Sequence, residues 1–126
     1  MKTSLSQKAF SLAKSPLGSL IVGIAFGKLS KLLPVKRVKE TDKALAFWHP
    51  KPFWENHIVI VPKRAIKHIT SIKADNEAYI GAVFGLASEI VKDLDWDKGG
   101  YSITVNGGNR QEVNQIHFHL HSGKEK

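Results

Sequence analysis

The strongest constraint on how this 126-residue chain can fold lies near its end, in Gln115-Ile116-His117-Phe118-His119-Leu120-His121. Three of the six histidines alternate there with large apolar residues. Successive side chains of an extended strand point to opposite faces, whereas residues two apart on a helix share no face. The alternation therefore predicts a strand with Ile116, Phe118 and Leu120 on a core face. His117, His119 and His121 line the other face, with neighbouring imidazoles roughly 6.5–7 Å apart. Three titratable rings on one rigid face call for a phosphate, a metal or a nucleophile's role.

The rest of the chain supplies partners for that strand. Val35–Lys39 and Ala44–Trp48 read as a hairpin around Glu40-Thr41-Asp42-Lys43, and His49–Asn56 as a loop rich in proline and aromatic residues. His57–Val61 is an apolar, β-branched strand ended by Pro62. Asp75 is placed to cap a helix running to about Leu94, with Ile80, Val83, Phe84, Ala87, Val91 and Leu94 as its buried stripe. A turn at 95–100, a strand at Tyr101–Val105 and a Gly/Asn loop at Asn106–Glu112 lead into the histidine strand. Strands on either side of one long helix, joined by short links, predict an α+β domain on an antiparallel sheet.

Charge divides the chain. Residues 1–39 hold eight of the 19 Lys/Arg and none of the 11 Asp/Glu, so the net +8 belongs to the N-terminal part and the remainder balances. A uniformly basic nucleic-acid-binding domain is excluded by that distribution, and no nucleic-acid partner is expected. There is no cysteine, hence no disulfide or thiolate metal site, which fits a reducing, cytoplasmic setting. Residues 1–24 are read as a basic extension and 25–126 as the domain. Leu5, Ala9 and Leu12 have helical spacing, and Ser15-Pro16 starts a helix whose apolar run of about ten residues is half of what a membrane span needs. Three readings stand for residues 1–33: a helix packed on the domain, a basic helix in weak contact with an anionic membrane surface, or a cleaved signal peptide.

The histidine strand resembles the motif of the histidine triad hydrolases and transferases, His-apolar-His-apolar-His. Asp42-Lys43-Ala44-Leu45-Ala46-Phe47, His57-Ile58-Val59-Ile60-Val61-Pro62-Lys63 and Val105-Asn106-Gly107-Gly108 resemble further blocks of that family, in order, so that the resemblance spans roughly residues 25–121. Phe26-Gly27-Lys28-Leu29 up to Leu33-Pro34 resembles the short helix before its first strand. The resemblance implies a sheet of about five strands with one long helix and a shorter N-terminal one. It implies a hydrolase of nucleotide phosphoramidates or dinucleoside polyphosphates, a purine nucleotide as substrate, no cofactor and a homodimer.

By the same resemblance His119 is the nucleophile and forms a nucleotidyl-histidine intermediate. His121 binds phosphate oxygens or protonates the leaving group, and His117 supports the site. Asn106 contacts phosphate or leaving group, and Asn114 stands where many members have a small hydroxyl residue. The chain departs from the pattern at Ala65, where many members have a histidine, and at His49, where an acid often holds the ribose hydroxyls. Ser122-Gly123 replaces an apolar pair, and the sequence runs to Lys126, short of the tail that shapes the base pocket in many members. Trp48, Phe53 and Trp54 either stack on the base or cover the core. Lys63 and Arg64 attract phosphate or form a solvated edge. Alternatives to hydrolysis are nucleotidyl transfer to an acceptor other than water, a nucleotide-binding module with a decayed site, and a zinc site on the three strand histidines.

Overall fold

The computed structural model describes residues 16–26 and 35–126. Helix α1 (Pro16–Ala25) precedes a hairpin of β1 (Arg37–Glu40) and β2 (Ala44–Trp48), then β3 (Trp54–Pro62), helix α2 (Glu77–Asp93), β4 (Ser102–Val105) and β5 (Phe118–Glu125). One sheet holds all five strands in the order β1-β2-β3-β5-β4, every pair antiparallel. The fold is α+β, as the sequence predicts.

Period two divides the sheet into two faces. Ala44, Ala46, Ile58, Ile60, Phe118 and Leu120 pack with Val83, Leu86, Ala87, Ile90 and Val91 of α2. Leu45, Phe47, Val59 and Val61 turn the other way and meet Ile21 and Ile24 of α1 together with Val113. Both faces are covered, which is why Ile58-Val59-Ile60-Val61 can be an unbroken β-branched run with every residue buried. Ile21 and Ile24 are fully buried, so that face of α1 is engaged with the sheet. Leu5, Ala9 and Leu12, and the 27–34 segment resembling the family's short helix, lie outside the described residues. No described helix is long and apolar enough to cross a membrane.

Several boundaries differ from the expected ones. Asp75 does not cap α2: it pairs with Arg64 at 3.3 Å, and the side chain of Asn76 accepts the Lys73 amide at 2.8 Å to close the turn before the helix. The buried stripe of α2 is rotated toward Leu86 and Ile90, which leaves Phe84 50% and Leu94 40% exposed. The loop after β2 is shorter than expected, because β5 runs on to Glu125 and gives Trp54 and Asn56 partners in Glu125 and Ser122. At its other end β5 begins only at Phe118, since the ladder to β4 closes with Val105 opposite Phe118. His117 therefore stands just before the strand rather than within it.

The β5 extension turns on Gly123, which has φ +80° in a stretch where the register with β3 shifts. A Cβ there would stand 2.8 Å from Glu55 Cβ, while the Lys124 amide donates to Glu55 Oε1 at 3.0 Å. Gly123→Ala is expected to lower stability by about 1–3 kcal/mol, read as a lower urea midpoint at unchanged slope. A wild-type midpoint would mean that this bulge relaxes freely.

Candidate active site

The odd-numbered sheet face that α1 covers continues into His57, His119 and His121. Their backbones are locked in register, His57 opposite His121 and Val59 opposite His119. The rings do not follow the register directly. His57 Nε2 reaches diagonally to His119 Nδ1 at 2.8 Å, and both residues are buried. His49, the first residue after β2, stacks on His57 with ring centroids 4.3 Å apart.

Backbone amides fix which nitrogens carry protons. The Phe53 amide donates to His57 Nδ1 at 3.1 Å and the Lys51 amide to His49 Nδ1 at 3.0 Å. A neutral imidazole has one N–H, so each of these rings carries it on Nε2. His57 then donates to His119 Nδ1, and His119 in turn keeps its proton on Nε2. His117 is set the other way, its Nδ1–H donating to the Gln115 carbonyl at 2.8 Å and leaving Nε2 with a free lone pair.

All these rings are neutral at pH 7. Burial, with the neighbouring imidazoles adding to it, lowers His57 and His119 to about 3 and His49 to about 4. Burial also lowers His117, partly opposed by its bond to the Gln115 carbonyl and by the nearby charge of Glu112. His121 is lowered by burial alone.

A cavity of about 430 Å³ opens over His119 and His117, bordered by His49, Phe53, Asn106, Arg110, Glu112 and Val113 and by Leu17 and Ile21 of α1. Four expected site residues, His117, His119, Asn106 and His49, thus come together, His49 in the place of the missing acid. Others do not. Asn114 is exposed and outside the cavity, and Trp48 packs against the α2-side core. His121 lies beyond the cavity, its ring flat against Trp54 at 3.6 Å. Of the aromatic cluster, Phe53 borders the cavity and Trp54 covers His121. Lys63 is held by Glu40 and the Thr41 carbonyl, each at 2.6 Å, and Arg64 by Asp75, so both belong to the solvated edge. His68 does not replace the histidine absent at Ala65; it bonds Gln111 Oε1 at 3.0 Å.

The sequence reading gave no role to His57, although a lone imidazole opening an apolar strand in phase with Val59 and Val61 was the available signal. It also passed over Gln115, whose amide accepts from the Ile66 N–H at 3.0 Å and donates to the Arg64 carbonyl at 2.9 Å. Those bonds tie the start of the histidine segment to the backbone on both sides of Ala65.

Zinc on the three strand histidines finds no support in this geometry. Among the described residues, the histidines with ligand spacing are His49, His57 and His119, one nitrogen of each within 4.8 Å of the others. A metal-bound imidazole offers a lone pair and donates through its other nitrogen. In His49 and His57 that other nitrogen already accepts a backbone N–H, so as hydrogen-bonded the cluster presents N–H donors, suited to an anion.

The sequence profile of the HIT domain matches residues 31–126. An uncharacterised HIT-like protein of Buchnera aphidicola subsp. Baizongia pistaciae is 31% identical over 103 residues, 79% of this chain and 92% of its own length. The crystal structure of a HIT family hydrolase from Legionella pneumophila Philadelphia 1 is similar with a TM-score of 0.70 at 28% identity, covering 82% of this chain and 90% of that one. That of a histidine triad nucleotide-binding protein from Candida albicans is similar with a TM-score of 0.65 at 25% identity, covering 79% and 72%.

Lowered imidazole pKa values make stability depend on acid in a definite direction. Below about 6.5 the unfolded chain binds protons on these rings, while the folded chain refuses them until about 4. Stability is expected to be level above pH 7 and to fall as the pH drops from 6.5 toward 4, measured as the urea midpoint across that range. His57→Gln, which removes one such ring, should flatten the decline; an unchanged slope would show that His57 is not held neutral.

Proposed function

The chain belongs to the HIT domain family, and on that premise we propose that it hydrolyses a nucleotide at its α-phosphorus, through a nucleotidyl group carried on His119. The observation that carries this reading is His119, lining the cavity and held neutral, with the buried ring of His57 bonded to it from behind at 2.8 Å. It is supported by the similarity to the Legionella hydrolase and the Candida nucleotide-binding protein. The scissile bond is of the phosphoramidate or polyphosphate kind. His119 Nε2 bonds to phosphorus as the leaving group departs with the electron pair and takes up a proton. Water then displaces His119 and releases the nucleoside monophosphate. His117, Asn106 and the Nε2–H of His49 face the bound phosphate and sugar.

The hydrogen bonds add one requirement. In the resting pair the Nε2 of His119 carries a proton and cannot attack. The reacting arrangement has that proton on Nδ1, donated to His57, and His57 protonated on Nδ1, where it meets the Phe53 amide. Losing that backbone bond costs about 1–3 kcal/mol, an amount that substrate contacts can supply. The same feature favours a second reading, a nucleotide-binding module that presents His49 and His119 as N–H donors without turning over. Turnover separates the two. Nucleoside phosphoramidates and dinucleoside polyphosphates assayed with His119→Ala should show wild-type hydrolysis and at least about a 100-fold loss in the variant. Brief incubation of the wild type should also leave a nucleotidyl mass on the intact protein. Absence of turnover in the wild type, with nucleotide still bound, would establish the binding module.

We also propose a homodimer. β4 is an edge of the sheet, and a groove of about 360 Å³ beside it is lined by Phe84, Ala87, Val91, Tyr101 and Ile103. Its length of unpaired strand and half-exposed Phe84 suit a second copy of the same face. Sedimentation at micromolar concentration is expected to show twice the 14.0 kDa chain mass, and Phe84→Glu to shift it to the monomer.

A further inference from the structure

The histidine segment is held by two different devices along its length. From Phe118 onward it is a strand laddered to β3 and β4. Before Phe118 no described strand pairs with it, and two buried glutamine side chains tie it to residues 64–68 instead. Gln111 Nε2 donates to the carbonyls of Lys67 and Val113, at 2.6 and 2.9 Å, and its Oε1 accepts the Nδ1–H of His68 at 3.0 Å. Gln115 Oε1 accepts the Ile66 N–H at 3.0 Å, and its Nε2 donates to the carbonyls of Arg64 at 2.9 Å and Ile116 at 3.4 Å. The Ile116 amide adds one main-chain bond, to the Ile66 carbonyl at 2.8 Å.

Of the two glutamines, Gln115 also acts on a motif imidazole through its own backbone. Its carbonyl takes the Nδ1–H of His117 at 2.8 Å. The side chain of the same residue makes three bonds, so the peptide that carries this carbonyl cannot turn away without stranding buried polar groups. His117 therefore keeps its proton on Nδ1 and a lone pair on Nε2. Its ring is half-buried and lines the cavity together with His119, centroids 5.2 Å apart and planes 68° apart. The nitrogen left to the cavity is thus an acceptor, whereas His49 and His119 present N–H groups there.

We propose that His117 is the base that takes a proton from water in the hydrolytic step, and that Gln115 is the positioning residue that makes it an acceptor. The inference rests on the hydrolase reading for the reaction, and on the bonds of Gln115 for the place of the proton. In the nucleotidyl protein the Nε2 of His119 is bonded to phosphorus. The water oxygen bonds to phosphorus, one of its protons passes to His117 Nε2, and the electron pair of the P–N bond returns to His119. The His117 imidazolium then gives its proton to solvent at the cavity mouth. Burial drives that ring back to its neutral form, while the Gln115 carbonyl and the charge of Glu112 ease the transient positive charge.

The test separates the two half-reactions. A nucleoside phosphoramidate mixed with excess protein gives the rate at which the nucleotidyl mass appears on the chain and the rate at which it leaves. Gln115→Met keeps the length of the side chain and removes its three bonds. Release in this variant is expected to slow at least about tenfold while formation stays within about threefold, so that nucleotidyl protein accumulates. Azide, an anion with no proton to give up, should restore release in the variant and add little to the wild type. Gln111→Met, which loosens the same two segments, should lower the urea midpoint and leave the ratio of the two rates unchanged. An equal loss in formation and release, or a variant that azide does not rescue, overturns the proposal. NMR of the imidazole nitrogens reads the proton positions without any turnover. Wild-type His117 should carry its proton on Nδ1, and Gln115→Met should populate the Nε2–H form. A wild-type proton on Nε2 overturns the proposal whatever the variants do, as does an Nδ1–H form that survives in Gln115→Met. A wild type that shows Nδ1–H, loses it in Gln115→Met and turns nothing over upholds Gln115 as the positioning residue. It overturns the hydrolase reading, and with it the base.

Discussion

The pairing of β3 with β5 is the contact on which both core and site depend. Its register puts Ile58 against Leu120 and Ile60 against Phe118 on the face that α2 covers. The same register, one residue out of phase, puts His57, His119 and His121 together on the opposite face. A slip by a single residue would turn every one of these side chains over, burying imidazoles under α2 and exposing the apolar set. The large apolar residues between the histidines are therefore as much a condition of the chemistry as the histidines themselves. They hold the strand to one register, and α1 closes the far face far enough to keep Val59 and Val61 dry while stopping short of the rings.

Buried imidazoles are tolerated here because none of them is charged and each has partners. A neutral ring needs one donor and one acceptor relation, and the short turn after β2 supplies acceptor relations twice, through the Lys51 and Phe53 amides. The remaining N–H groups then pass inward, from His57 to His119. Proton positions at the site are thus set by backbone amides of the loop between β2 and β3. The order in which β2 ends, the loop turns and β3 begins determines what His119 can do.

The fold was legible in the sequence wherever period and turn chemistry acted together. The β1–β2 hairpin, the apolar strand through His57–Val61, the long helix and a strand carrying His119 and His121 are all present, with ends shifted from the expected ones. What escaped was decided by partners distant in sequence. β3 starts at Trp54 because Glu125 and Ser122 arrive opposite it, which nothing in Pro52-Phe53-Trp54 announces. The α2 stripe turned toward Ile90 because the sheet fixes which side of the helix is inward. At the site, alternation predicted a common face for His117, His119 and His121. β5 starts only at Phe118, and that face is divided, His117 and His119 lining one cavity and His121 another. His57 lies in a block that resembles the family's, but a single histidine carries no period to mark it as a partner of His119.

His49 shows how one departure from a family pattern can be compensated nearby. A carboxylate in its place, stacked where this ring lies 4.3 Å from His57, would carry a negative charge into a dry pocket. That charge would favour protonation of His57 and, through the shared hydrogen bond, of His119. An imidazolium has no lone pair on either nitrogen, so it cannot serve as the nucleophile. Imidazole at residue 49 exerts the opposite influence, adding to the forces that lower His57 to about 3. A carboxylate would offer an acceptor to the cavity, whereas His49 Nδ1 is already taken by the Lys51 amide and only an N–H remains. Residue 49 thus exchanges an acceptor for an N–H donor while leaving the His57–His119 pair uncharged.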